Sequence, residues 1–180
     1  MRFEGKNIYI RYCEESDAEE FLQFQNRNRE FFQQFSAIRE KSFYTHEAQL
    51  DLIKDELKKR EEDRHYSFGV YLLETDELIG KVTLMEVLRG GLQSCFIGYF
   101  LDKKHNGKGY MTEAVKLVVL YGFETLKLHR IEAGVMPHNI GSIRVLEKAG
   151  FEKEGIARKN VNINGKWEDH QVLAIINENW

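Results

Sequence analysis

The spacing of hydrophobic residues changes period several times along the chain, and each change predicts an element. Residues 8–12 alternate and are rich in β-forming types, so they are predicted to be a strand. Two helices should follow, because apolar residues then recur on one helical side. Ser16 is predicted to cap the first helix, with Glu19 completing a capping box. Thr45 is predicted to cap the second, which should end near residue 63.

The middle of the chain has a period of two. Strands are predicted at 66–73, 78–88 and 92–101, with turns at 74–77 and at Gly90-Gly91. Three consecutive strands joined by such short connections indicate an antiparallel meander.

The second half returns to a helical period. Apolar residues spaced i, i+3, i+4 and i+7 predict a helix over 109–126. A strand at 130–136, a short helix capped by Asn139 and ended by Gly150, and two strands at 161–163 and 167–176 should complete the chain. The order predicts a single α+β domain over 1–180, built on one mixed sheet of about seven strands.

Composition narrows the class of protein. With 42% hydrophobic and 31% charged residues, the 180-residue chain is typical of a globular domain with a full core. A net charge of −3 gives no reason to expect direct nucleic-acid binding, and no apolar run is long enough to span a membrane. Cys13 and Cys95 are isolated, which favours a reducing, cytoplasmic compartment, and the six histidines lack metal-ligand spacing.

The most informative segment for function is the loop that opens the predicted helix at 109–126. Gly107 and Gly109 stand where a helix exposes unpaired backbone N–H groups, and Lys108 adds a positive charge. Because glycine lets the backbone come close to a bulky anion, the segment is a candidate phosphate cradle.

Four interpretations of this loop are considered, namely three different ligands and a turn that binds none. A nucleoside-triphosphate loop fails, because Lys108 precedes the second glycine and no Ser or Thr follows it directly. A dinucleotide fingerprint stays open, since Glu132 lies roughly 20 residues on, although Thr112 replaces the third glycine. The pyrophosphate of coenzyme A and a glycine turn that binds nothing also stay open.

Three segments in register resemble the GNAT superfamily of N-acetyltransferases. They are 97–102 with 106–114, then His129-Arg130-Ile131-Glu132-Ala133, then 139–151 with its Leu146-Glu147-Lys148-Ala149-Gly150-Phe151. The chain is most similar to the bacterial ribosomal-protein N-terminal acetyltransferases of the Rim type, from Ile8 to its C-terminus. The resemblance implies a sheet splayed between the strands at 92–101 and 130–136, about four flanking helices, and acetyl transfer from acetyl-CoA to a primary amine.

The resemblance also implies which residues bind acetyl-CoA. Backbone amides of Phe100 and Leu101 would pair with pantetheine, and Asn139 would orient it. The pyrophosphate would lie on the loop and the helix start, with Ser142 and Lys148 also in contact with the co-substrate. The loop residues are Asn106, Gly107, Lys108, Gly109, Tyr110, Met111 and Thr112. Asn106 and Met111 depart from the family pattern Arg/Gln-x-x-Gly-x-Gly/Ala, while Gly109 keeps it.

Catalytic roles carry over less completely. Leu146 occupies the position where many GNAT enzymes have a tyrosine acid, whereas Ser142 matches the serine acid of the Rim-type branch. Ser142 and Asn139 are also ordinary residues for a helix start. Phe96 stands where related enzymes often carry a glutamate, and the base is unassigned.

Three substitutes for the missing base are considered. Glu86 and His138 are candidate side chains, and a water chain without a dedicated base is the third.

The acceptor is expected to be the N-terminal α-amine of a ribosomal protein. Such an amine has a pKa of about 8, so about a tenth is neutral at pH 7, far more than for lysine. A small-molecule amine (a polyamine, an amino acid or a drug) is the alternative within the class, and a non-catalytic acyl-CoA-binding module is the alternative outside it. Monomer and homodimer are both open. The aromatic residues at 31, 32, 35, 43 and 44 are expected either in the core or along a substrate cleft.

Overall fold

A computed structural model describes residues 1–180 and contains one eight-stranded sheet and five α-helices. The strands are β1 Arg2–Glu4, β2 Ile8–Tyr12, β3 His65–Leu72, β4 Leu78–Leu88, β5 Ser94–Leu101, β6 Arg130–Val135, β7 Glu152–Ile163 and β8 Lys166–Ile176. The helices are α1 Ala18–Arg27, α2 Arg29–Phe32, α3 His46–Glu61, α4 Tyr110–Glu124 and α5 Ile140–Lys148. None of the helices combines the length and apolar character needed to cross a membrane.

The sheet has the order β1-β2-β3-β4-β5-β6-β8-β7, and every neighbouring pair is antiparallel except β5 and β6. These two parallel strands pair only at their starts, where residues 94–96 face residues 130–132. Beyond that point β5 continues to Leu101 with β4 as its only partner. The expected splay between these two strands is therefore confirmed, and it leaves one edge of β5 without a partner strand.

Helices cover both faces of the sheet, as the alternation along β2 shows. Ile8 and Ile10 point into the larger core, which α4 and α5 complete with residues such as Val115 and Leu146. Tyr9 points the other way, into a smaller core formed with α1 and α3. Successive strand residues face opposite sides, so one short strand contributes to both layers.

Of the two helix caps predicted at Ser16 and Thr45, one is present in the structure. The Thr45 hydroxyl accepts from the backbone N–H of Ala48 at 3.2 Å, which confirms that cap. The prediction for Ser16 is wrong: a short 3₁₀ turn precedes α1, and the Asp17 carboxylate accepts from the Glu14 N–H at 2.8 Å. Asp17 is fixed there because it also accepts from the Arg11 guanidinium at 2.7 and 2.8 Å.

The strand prediction also needs correction at both edges of the sheet. There are eight strands rather than about seven, because β1 was not anticipated. β7 begins at Glu152 instead of residue 161. Almost all of β7 is exposed on both faces, so it lacks the alternation that marks a half-buried strand.

A mostly buried ion pair links α3 to the sheet and makes stability depend on pH. Lys81 Nζ lies 2.6 and 2.8 Å from the two carboxylate oxygens of Glu56, and His65 Nε2 lies 3.7 Å from one of them. Burial alone would raise the pKa of Glu56, but the hydrogen bonds and charges of His65 and Lys81 outweigh it and lower that pKa to about 2. The folded state therefore holds this carboxylate ionised where the unfolded chain would protonate it.

We expect the contribution of Glu56 to be complete above about pH 4.3 and to be lost as pH falls towards 2, since its folded pKa lies below its unfolded value. The change should be on the order of 2 kcal/mol. Urea unfolding of wild type and Glu56→Gln at pH 7, 4 and 3 measures it, with the exposed Glu61→Gln as control. The gap between wild type and Glu56→Gln should narrow with acid, and a constant gap would contradict the assignment.

Candidate active site

A cavity of about 680 Å³ opens where β5 and β6 separate. Its walls come mainly from β5, β6, the start of α4, α5 and the segment 31–36, and β4 and β8 contribute one residue each, Met85 and His170. Most of the residues that sequence reasoning singled out line it, namely Phe100, Leu101, Asn106, Gly107, Gly109, Met111, Thr112, Asn139, Ser142 and Lys148. Lys108 and Tyr110 belong to the same loop but do not line the cavity.

The glycine loop forms the wall at the start of α4. Gly107 and Gly109 have φ of +78° and +82°, a left-handed conformation that favours glycine, and Gly109 is the residue that precedes α4. A Cβ built on either glycine would meet no atom within 4 Å. The space in front of this backbone is therefore open, and the first N–H groups of α4 have no partner within the helix. Such a surface suits a phosphate group.

The free edge of β5 forms the second wall. Ile97, Tyr99 and Leu101 pair with β4 on one side, and no strand pairs with residues 97–101 on the other. Backbone donors and acceptors on that side face the cavity, as an extended ligand chain such as pantetheine requires.

Helix α5 brings Ser142 against a tyrosine that sequence reasoning did not select. The Asn139 side chain accepts from the Ser142 N–H at 3.3 Å, which confirms the predicted cap. The hydroxyl of Tyr99 lies 2.7 Å from Ser142 Oγ and 3.0 Å from the Ser142 carbonyl oxygen. Leu146 also lines the cavity, so no tyrosine competes for this place.

Burial keeps the Tyr99 phenol protonated. It raises the pKa of Tyr99 far above its usual range, and the hydrogen bond to Ser142 offsets only part of that shift. The protonated phenol has one hydrogen, which it can donate to the Ser142 carbonyl oxygen or to Ser142 Oγ, and in the contact between the two hydroxyls either one can be the donor. The only sequence signal for this pair was that both residues lie in the family segments, and 43 positions separate them.

The two side chains considered as bases lie outside the cavity wall. Glu86 is exposed at an irregularity of β4, where its φ is +53°. His138 is exposed, and its ring packs on that of Phe35 with 5.7 Å between centroids. The wall contains no Asp, Glu or Cys, and its one histidine is His170 on β8, which sequence reasoning missed.

Aromatic residues of the segment 31–36 form part of the cavity wall. Phe31, Phe32 and Phe35 line the cavity, and the Phe32 ring lies 5.0 Å from that of Phe100. Phe32 also belongs to the smaller core, so this residue is both a core aromatic and part of the cavity wall. Phe43 and Tyr44 pack on each other outside the cavity. No group of three or more His, Cys, Asp and Glu is arranged to hold a metal ion.

Comparisons with known proteins agree with this geometry. The family model for the acetyltransferase (GNAT) domain matches residues 7–152. The chain is 63% identical to the probable N-acetyltransferase YjcK of Bacillus subtilis (strain 168), over 96% of each sequence. Among solved structures it is similar to the ribosomal-protein-S5-alanine acetyltransferase of Vibrio fischeri, with 32% identity and a TM-score of 0.94 over 100% of this chain and 98% of that one. It is also similar to Mycobacterium smegmatis RimJ in complex with CoA-disulfide, with 26% identity and a TM-score of 0.89 over 95% and 82%. The expected fold and kinship are confirmed, and the chain belongs to the GNAT family and is an N-acetyltransferase.

Proposed function

We propose that this enzyme transfers the acetyl group of acetyl-CoA directly to the N-terminal α-amine of a protein, with a ribosomal protein as the acceptor. One observation carries the proposal. A single cavity joins a helix start open to phosphate, a free strand edge and the Ser142–Tyr99 pair. Donor binding and leaving-group protonation therefore meet in one place.

In this proposal acetyl-CoA, the donor of this family, occupies the cavity. Its pyrophosphate lies on the backbone at 107–112, and pantetheine runs along β5 at Phe100 and Leu101, beside Asn139. Lys148, also in the wall, supplies a positive charge to the phosphates. The CoA complex of the mycobacterial relative supports this placement.

Transfer proceeds without a covalent enzyme intermediate. Both cysteines are buried outside the cavity wall, and burial raises the pKa of the thiols of Cys13 and Cys95 to about 12, so neither supplies a thiolate. The amine attacks the thioester carbon, and Ser142 donates its hydrogen to the departing thiolate. The Tyr99 hydroxyl, 2.7 Å from Ser142 Oγ, can then turn its own hydrogen towards that oxygen. Holding both reactants in one cavity supplies much of the rate.

The charge of the wall favours a protein N-terminus over a polyamine. A polyamine carries several positive charges, and the cavity wall offers no carboxylate to pair with them. A peptide presents one amine followed by a neutral backbone. The Vibrio fischeri relative, which acts on a ribosomal-protein alanine, supports the same choice.

Thiol release from acetyl-CoA tests the acceptor. The panel contains a hexapeptide beginning with alanine and carrying one internal lysine, the same peptide with its N-terminus blocked, and spermidine. We expect turnover only with the free N-terminus, because the blocked peptide retains just the lysine amine. Turnover confined to spermidine would overturn the N-terminal assignment, and CoA binding without turnover of any amine would favour the acyl-CoA-binding module.

A further inference from the structure

Resting on the proposed function, we infer that His170 is the general base that takes the proton from the attacking amine. His170 lies on β8 next to Gln171, which pairs with Val135 at the end of β6, and it is the one side chain of the wall with an imidazole ring, whose nitrogen can accept a proton. Arg144 and Lys148, the other nitrogen bases in the wall, are cations and cannot accept a proton.

Hydrogen bonds fix the tautomer of His170. Its Nδ1 lies 2.9 Å from Asn160 Oδ1 and 3.3 Å from the carbonyl oxygen of Glu168. A carbonyl oxygen only accepts, so Nδ1 carries the hydrogen and donates it. In the neutral ring Nε2 then holds the lone pair, which is the form a base requires.

The lone pair on Nε2 is free and faces open space. No protein group is hydrogen-bonded to Nε2, although His170 is only 8% exposed. Nε2 is not sealed from solvent. The unpaired polar side-chain atoms that are sealed belong only to Tyr71 and His105. The open space that His170 borders is the cavity.

An irregularity in β7 positions Asn160 beside the His170 ring. Between the pairs 157–170 and 161–168, β7 uses three residues where β8 uses one, and Lys159 takes a φ of +47°. This bulge brings Asn160 beside the ring. On the other side Gly134 of β6 has no side chain, and a Cβ there would lie 3.8 Å from His170 Cδ2, the carbon bonded to Nε2. Glycine therefore leaves that edge of the ring uncovered.

The proposed base completes the reaction without any further reactant. The amine nitrogen forms a bond to the acetyl carbon, and the proton it sheds moves to His170 Nε2. The C–S bond breaks, and the thiolate takes the hydroxyl hydrogen of Ser142. Solvent then removes the proton from His170 and restores that of Ser142, so the products are the amide and free CoA.

Substituting His170 by asparagine tests the inference, because Asn keeps an N–H near the position of Nδ1 and removes the lone pair of Nε2. We expect kcat for the alanine hexapeptide to fall about 100-fold, as for loss of a general base. The Kd for CoA, measured by calorimetry, should stay within twofold of wild type. His170→Gln, which places an amide near Nε2, should show the same loss, and His46→Asn, on an exposed residue at the start of α3, should keep wild-type kcat.

The outcomes separate this inference from the proposed function. Wild-type kcat in folded His170→Asn or His170→Gln would overturn the base, as would a loss confined to His138→Asn or Glu86→Gln. If wild type acetylates spermidine instead of the peptide, the acceptor proposal fails, and the same variants assayed with spermidine still decide the role of His170.

Discussion

Replacing Gly109 with valine is expected to raise the Kd for CoA at least about 100-fold, a loss of about 2.7 kcal/mol. Two effects act together at this position. Its φ of +82° strains any β-branched residue, and the new side chain would occupy the open space in front of the first N–H groups of α4. The pyrophosphate needs that same space. Isothermal titration calorimetry with CoA measures the change.

Gly90→Val separates strain from obstruction. Gly90 has a φ of +67° and equally open surroundings, but it lies in the turn between β4 and β5, away from the cavity. We expect Gly90→Val to lose about as much stability as Gly109→Val and to bind CoA like wild type. Normal CoA affinity in folded Gly109→Val would mean that the loop is an ordinary turn.

The second large effect concerns leaving-group protonation. Ser142→Ala should lower kcat about 100-fold while the KM for acetyl-CoA changes little, because the thiolate develops only in the transition state. Tyr99→Phe should lower kcat about tenfold, since the phenol acts through the serine hydroxyl rather than on sulfur. Steady-state kinetics with the alanine hexapeptide measure both.

A double-mutant cycle shows whether the two hydroxyls form one unit. The variant that combines Tyr99→Phe with Ser142→Ala should be about as slow as Ser142→Ala alone, because the tyrosine has nothing to act through once the serine is gone. Fully multiplicative losses would contradict the coupling. A larger loss in Tyr99→Phe than in Ser142→Ala would make the phenol the direct acid.

Much of the fold could be predicted because local chemistry decides it. Thr45 and Asn139 cap helices through contacts three residues away, and the period of α4 follows from one buried stripe. Ser16 failed as a cap because it lies inside a short 3₁₀ turn before α1, which Asp17, held by Arg11 from β2, ties to the Glu14 N–H. Such tertiary competition has no local signature in the sequence.

In the candidate site, too, local features could be predicted from the sequence and contacts between distant residues could not. The open loop at the start of α4 could be predicted, since Gly107 and Gly109 shape it through their own backbone and lie beside the helix. The pairing of Tyr99 with Ser142 depends on two strands that separate. The orientation of His170 depends on Asn160, which a bulge in β7 brings beside the ring. Contacts of that kind exist only once the sheet is assembled.

A crystal structure of the enzyme with bound CoA tests the central claim most directly. We expect the pyrophosphate to accept hydrogen bonds from the backbone at 107–112 and pantetheine to extend along β5 at Phe100 and Leu101. The sulfur should lie beside Ser142 Oγ, with His170 on the acceptor side. CoA bound outside the gap between β5 and β6, or with its sulfur remote from Ser142, would contradict it.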